Sequence, residues 1–237
     1  MNGRDFPNLE STGLHADEEL KQTRAITGLS ISLITVNGRP GGASGAGFMA
    51  ADETILSVLW GDNKIVRKMD LTHADLARPI LQLWNISNIR ERYNETVPAE
   101  EAIEHQAMIY NGKEVEIKVE GSRGWQESIF NDEILGKYHL EFRRSMDAAE
   151  ESFFKEHYGH LSESASKELI EKLTHIHTGE MVPYYINRYG FYEGHTDFRA
   201  DPVAIAFIFG LRTIQEIHEA SGKDLFKYLS AHFTANP

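Results

Sequence analysis

The sequence predicts an α+β protein: an antiparallel sheet with helices packed on it, followed by a helical C-terminal half. Three observations carry this. Strand-type alternation clusters between residues 29 and 144. Helical periodicity takes over from Met146. The strongest short hairpin signal, Asn111-Gly112, lies in the first of these regions. Strands and helices that segregate along a chain point to α+β and away from an alternating α/β fold. A boundary near 144/145 divides a strand-rich part, 1–144, from a helical part, 145–237. At 237 residues the two are expected to share one compact unit.

Residues 1–13 are polar and read as a loose arm, and His15 to Ile26 fits a short helix. Leu29–Val36 alternates and is rich in branched residues, which predicts a strand. Asn37–Gly47 carries five glycines and no large apolar residue, so it is expected to be a loop, mobile unless a ligand orders it. It lacks the Lys-Ser/Thr of a P-loop and the GxGxxG spacing. Thr54–Trp60 and Lys64–Met69, separated by Gly61-Asp62-Asn63, predict a hairpin. Thr72 and Asp75 form a capping box that opens a helix expected to reach Tyr93, with Pro79 as a kink or a second start. Val97–Ala107 reads as helical, and strands are expected on both sides of Asn111-Gly112 and over Tyr138–Arg144. Helices follow over Asp147–Tyr158 and from the Ser162 cap to about Ile176. Asp201-Pro202 opens a helix that is apolar all round, and Thr213–Glu216 is a second capping box. A last helix is expected over Lys223–Phe233.

Composition removes whole classes of function. With no cysteine, disulfide scaffolds, thiolate metal sites and thiol nucleophiles are excluded. A net charge of −12 argues against nucleic-acid binding, which needs clustered Lys and Arg. No stretch approaches the ~20 apolar residues of a membrane span, and the first residues have no apolar leader, so a soluble, cytoplasmic protein without a membrane partner is expected.

The densest patch runs from Thr178 to Pro202. Tyr184, Tyr185, Tyr189, Phe191, Tyr192 and Phe198 interleave with Arg188, Glu193, His195, Asp197, Arg199 and Asp201, and Gly190 and Gly194 interrupt any helix. Loops that pair aromatics with convergent charges concentrate binding and catalysis. On this reading His195 is a general acid–base, with Asp197 or Glu193 as its partner. Arg188 and Arg199 would hold an anionic group bidentately, and Tyr189 and Tyr192 would stack on the ligand. The competing reading is a packed connector, in which the tyrosines are buried and the arginines pair with Glu193, Asp197 or Asp201. Asp201 itself is assigned to helix capping.

Three functions remain open on these grounds. The first is a small-molecule enzyme of hydrolase or lyase type. The second is a non-catalytic ligand- or peptide-binding regulatory module. The third is an assembly protein with the tyrosine patch as a homodimer interface. No cofactor is indicated. His175-Ile-His177 is expected at a helix end, where residues two apart point away from each other, so no metal site is assigned.

Overall fold

The computed structural model describes residues 29–86, 103–131 and 135–231. It is an α+β protein, built on an antiparallel sheet as the sequence predicts. The expectations for 1–13, for His15–Ile26 and for the helix beyond Ile86 fall outside the described residues.

The N-terminal elements differ from expectation. Ile31–Gly38 is a helix, α1, not a strand: Ser30 caps it by accepting Leu33 N–H at 3.2 Å. Ile34, Thr35 and Gly38 face inward at helical spacing. Eight residues rich in branched side chains satisfy either period, and packing decides. Ile55–Lys68 is likewise one helix, α2, and not a hairpin. Thr54 and Ser57 form its capping box, with N–H to hydroxyl distances of 3.1 and 3.0 Å. Ile55, Val58, Leu59, Ile65 and Val66 are buried along one face. The supposed turn residues Asp62 and Asn63 are buried on that face too.

Helix α3, His73–Ile86, starts at the predicted Thr72–Asp75 box and runs through Pro79 without interruption. Residues 103–107, expected to be helical, belong to strand β1, Ile103–Tyr110. β1 pairs with β2, Lys113–Glu127, across the predicted turn. Asn111 and Gly112 have φ of 48° and 73°, the left-handed pair that this two-residue turn requires. β3, Leu135–Arg143, follows, and the sheet order is β1-β2-β3-β4. The fourth strand, β4, is His175–Gly179, where a helix end was expected. A strand from the C-terminal half therefore completes the sheet.

Helix α4 (Ala148–Tyr158) stands where a helix over Asp147–Tyr158 is expected, with Asp147 as its N-cap, and α5 (Glu163–Thr174) follows the predicted Ser162 cap. α6 (Val182–Tyr189) ends at Gly190. α7 (Pro202–Ile208), capped by Asp201, is buried at every residue, as its all-round apolar sequence predicts. Each of its larger side chains contributes roughly 1.5–3 kcal/mol of burial. α8 (Ile214–Ala220) and α9 (Leu225–Ala231) complete the described chain.

One face of the sheet, with Val115, Ile117, Val119, Leu140, Phe142 and Ile176, joins α7 in a core that extends from Ile65 to Leu229. A second apolar cluster joins Ile34, Phe48, Met49 and Ile55 to Tyr185, Tyr189 and Phe191. Among the described residues, no helix is long and apolar enough to cross a membrane.

Candidate active site

The 182–201 segment forms α6 and then a loop that descends into α7. Gly190 makes the exit possible. Its φ is 67°, and a Cβ there would lie 2.9 Å from His73 Nε2. The aromatics of the patch turn inward: Tyr185, Phe191 and Tyr192 are fully buried, and Tyr189 stacks on Phe130 at 3.8 Å. Phe198, half-buried, packs over His139 and His177 on the far face of the sheet.

Two buried polar clusters hold the loop. Arg199 donates to Asp62 at 2.5 and 3.4 Å, to Asp201 at 3.3 Å and to the Glu193 carbonyl at 2.6 Å. Burial works against the Arg199 charge, but the two carboxylates overcome it and hold its pKa raised. Burial pushes the Asp62 carboxyl up to about 6, against the pull of Arg199. Beside this cluster, His73 lies between Tyr192 and Asn63, at 2.8 and 3.2 Å. Burial lowers the His73 pKa to about 4 and raises that of Tyr192, so both are neutral at pH 7. Asn63 Oδ1 can only accept, so His73 Nε2 carries the proton and Nδ1 accepts from the tyrosine hydroxyl. Arg199, Tyr192 and Tyr189, expected at a ligand, thus have their polar or ring contacts with protein groups. Arg188 and Asp197 are exposed.

His195 meets a partner that no local pattern in the chain points to. Its Nδ1 is hydrogen-bonded to Glu53 Oε1, and its backbone N–H donates to Glu53 Oε2 at 2.9 Å. Ala50 N–H donates to the same oxygen at 2.7 Å, and Arg39 Nε donates to the Glu53 carbonyl at 2.8 Å. Burial raises the Glu53 pKa, but these hydrogen bonds and the His195 charge outweigh it, and the carboxyl titrates below its ordinary range. An ionised carboxylate on Nδ1 selects, for the neutral imidazole, the tautomer with its proton there, and in that form Nε2 carries the lone pair.

Gly194 makes the approach possible. A Cβ there would overlap Glu53 Oε2 and lie 2.9 Å from Met49 Cα. Gly194→Ala is therefore expected to separate His195 from Glu53 and to cost about 2 kcal/mol by overpacking. Urea denaturation and the His195 side-chain 15N shifts check both effects, and native-like values for both would refute them.

Glu193, the residue between these two groups, is strained and neutral. It has φ of 65°, which is unusual for a residue with a side chain. It is 4% exposed, and Thr196 Oγ1 donates to its Oε2 at 2.6 Å. Burial pushes its carboxyl up to about 8. Glu193 and Phe198 line a cavity of about 460 Å³ whose other walls include the 43–47 loop, His139, Tyr138 and Glu180. The glycine-rich segment is a loop, as expected, but internal hydrogen bonds tie it: Gly41 N–H to Ser44 O at 3.0 Å and Ala43 N–H to Asn37 O at 2.9 Å.

His175 and His177 sit two apart on a strand, so they share a face, contrary to the helical expectation. His175 Nδ1 lies 2.7 Å from Glu171, and the His177 ring is 5.6 Å from that of His139. Among the described residues, no group of three or more His, Cys, Asp or Glu is arranged to hold a metal ion. The sequence reading missed Glu53, Asp62 and His73. In comparisons with protein-family models, curated proteins and solved structures, no match to this chain was found.

Proposed function

We propose that the protein is a small-molecule enzyme of hydrolase or lyase type, with His195 as its general base. The observation that carries this reading is the Glu53–His195 pair: an ionised carboxylate, held by backbone donors, on Nδ1 of a partly exposed imidazole. That arrangement sets the tautomer and stabilises the imidazolium formed when Nε2 takes a proton. Glu193, protonated at neutral pH and lining the adjacent cavity, is the acid that returns a proton to the leaving group. Asp197 does not hold the orienting position, which Glu53 occupies; it and Arg188 are exposed and suit the rim. Arg199, Tyr192 and Tyr189 hold the loop in shape. The regulatory-module reading would need no such pair. The assembly reading needs an exposed tyrosine patch, whereas Tyr189 and Tyr192 are buried.

The test is turnover of a panel of chromogenic acyl and phosphoryl esters. His195→Gln is expected to lose about a hundredfold or more of the rate, and Glu53→Gln at least tenfold. Exposed His160→Gln is the control and should match wild type. A His195→Gln variant as active as wild type removes the proposal. So does a wild-type protein that turns over none of the panel and whose side-chain 15N shifts place the His195 proton on Nε2.

A further inference from the structure

The cavity that Glu193 and Phe198 line is also walled by the 43–47 loop, whose amides from Ser44 to Gly47 meet no acceptor among the described residues. In a trans peptide unit the C=O and N–H point in opposite directions. The carbonyls of Ser44 and Gly45 both turn inward to Gly41 N–H, at 3.0 and 3.3 Å. The N–H groups of Gly45 and Ala46 belong to those same two units and so point outward together. Within the described structure, the N–H groups of Ser44, Gly45, Ala46 and Gly47 reach no protein acceptor. Successive outward amides of this kind make an anion-binding concavity.

A second, independent feature faces the same cavity. Glu193 is buried, and among the described residues its one side-chain hydrogen bond is that which Thr196 donates to Oε2. Among the same residues Oε1 meets no donor, yet it is not one of the sealed-off polar atoms. A neutral carboxyl whose Oε2 accepts carries its proton on Oε1 and donates it into the cavity. Glu180 is an acidic group on the wall, but its Oε1 accepts Lys137 N–H at 2.5 Å, and the Lys137 ammonium lies nearby over Tyr138.

We propose that this cavity binds an oxyanion, the carboxylate or phosphate group of the molecule on which His195 acts, between the 44–47 amides and the Glu193 carboxyl. The phrase naming His195 rests on the acid–base reading above; the oxyanion site itself does not. The groups around Glu193 are Thr196 and Arg199 from its own loop, Glu53 packed against Gly194, and Lys137, His139 and Glu180 from the sheet side. Affinity is therefore expected to fall as pH rises through about 8, where Glu193 becomes an anion facing an anion.

The probes are sulfate, for a tetrahedral group, and acetate, for a planar one, titrated separately into 15N-labelled full-length protein at constant ionic strength. The expected result is saturable movement of the 44–47 amide signals by at least one anion. The preferred anion tells a phosphate-bearing from a carboxylate-bearing ligand. Gly45→Pro and Ala46→Pro, each of which deletes one donor, should weaken binding about tenfold. Glu193→Gln should bind at pH 9 as well as at pH 6.5. His195→Gln should bind as wild type does, which separates this site from the acid–base reading: binding with no effect of His195 on turnover sinks only the latter. Failure of wild type to bind either anion saturably overturns the proposal, as does saturation that moves amides elsewhere and leaves 44–47 still. The wild-type shift map decides the matter even where a proline variant does not fold.

Discussion

Arg199→Met is expected to destabilise the protein by about 4 kcal/mol at pH 8, the largest destabilisation of any single change considered. The guanidinium and the Asp62 and Asp201 carboxylates are each 2% exposed. Removing the cation leaves two buried carboxylates facing each other, and a broken buried pair costs roughly 3–5 kcal/mol. The loss should shrink at pH 5, because the buried Asp62 carboxyl, already pushed up to about 6, can then take a proton and become neutral. Adding Asp62→Leu to Arg199→Met should recover part of the loss, since one buried charge disappears. Urea denaturation of the single and double variants at both pH values measures this. An Arg199→Met protein as stable as wild type at pH 8 would show that the cluster contributes nothing net.

The second large effect is the loss of the alkaline decline in stability in Glu193→Gln. A carboxyl whose folded pKa is raised from an ordinary 4.5 to about 8 keeps its proton in the folded state while the unfolded chain loses it. Stability therefore falls as pH rises from about 4.5 to about 8 and levels off above that. The full cost approaches about 5 kcal/mol, and glutamine, the neutral isostere, does not incur it. His73 works in the other direction. Its folded pKa is lowered from 6.5 to about 4, so its contribution is lost as pH falls through that interval. These two contributions cancel between about pH 4.5 and 6.5, so together they leave wild type level there and falling from about pH 6.5 to about 8. Glu193→Gln, left with His73 alone, should instead gain stability from about pH 4 to 6.5 and stay level above that. If Glu193 is also the proton donor, the same variant is more stable and less active, the usual relation at a strained site. Identical alkaline limbs in variant and wild type would show that Glu193 is not held neutral.

What the sequence revealed and what it hid follow one physical line. Local signals were legible. The Thr72–Asp75 and Thr213–Glu216 boxes, the Asn111-Gly112 turn and Asp201-Pro202 each act through neighbours within three residues, and each stands where it was expected. Long-range polar pairing was not legible. In α2, Ile55, Val58, Leu59, Ile65 and Val66 follow helical spacing, but Asp62 and Asn63 fall where apolar residues are expected, and with Gly61 they imitate a turn. Those two side chains are polar because Arg199 and His73 lie opposite them, and nothing local reports that. The patch at 184–199 is legible in the sequence as a place where charges and aromatics crowd together. Its division into a buried half, Tyr189, Tyr192 and Arg199, and an open half with His195 depends on tertiary contacts. The partner of His195 comes from Glu53, and one sequence holds no sign of that pairing.

That separation also bears on how the chain comes together. Glu53 and His195 are 142 residues apart, and Asp62 and Arg199 are 137 apart. Closing loops of that length is entropically slow, and contacts so distant in sequence form late. During synthesis from the N-terminus, Glu53, Asp62 and His73 leave the ribosome long before their partners. A nascent chain cut short before residue 192 would carry Glu53, Asp62 and His73 without His195, Arg199 and Tyr192 to meet them. The proposed chemistry thus waits for a loop made late in synthesis, and a chain that stops short of it is inert by construction.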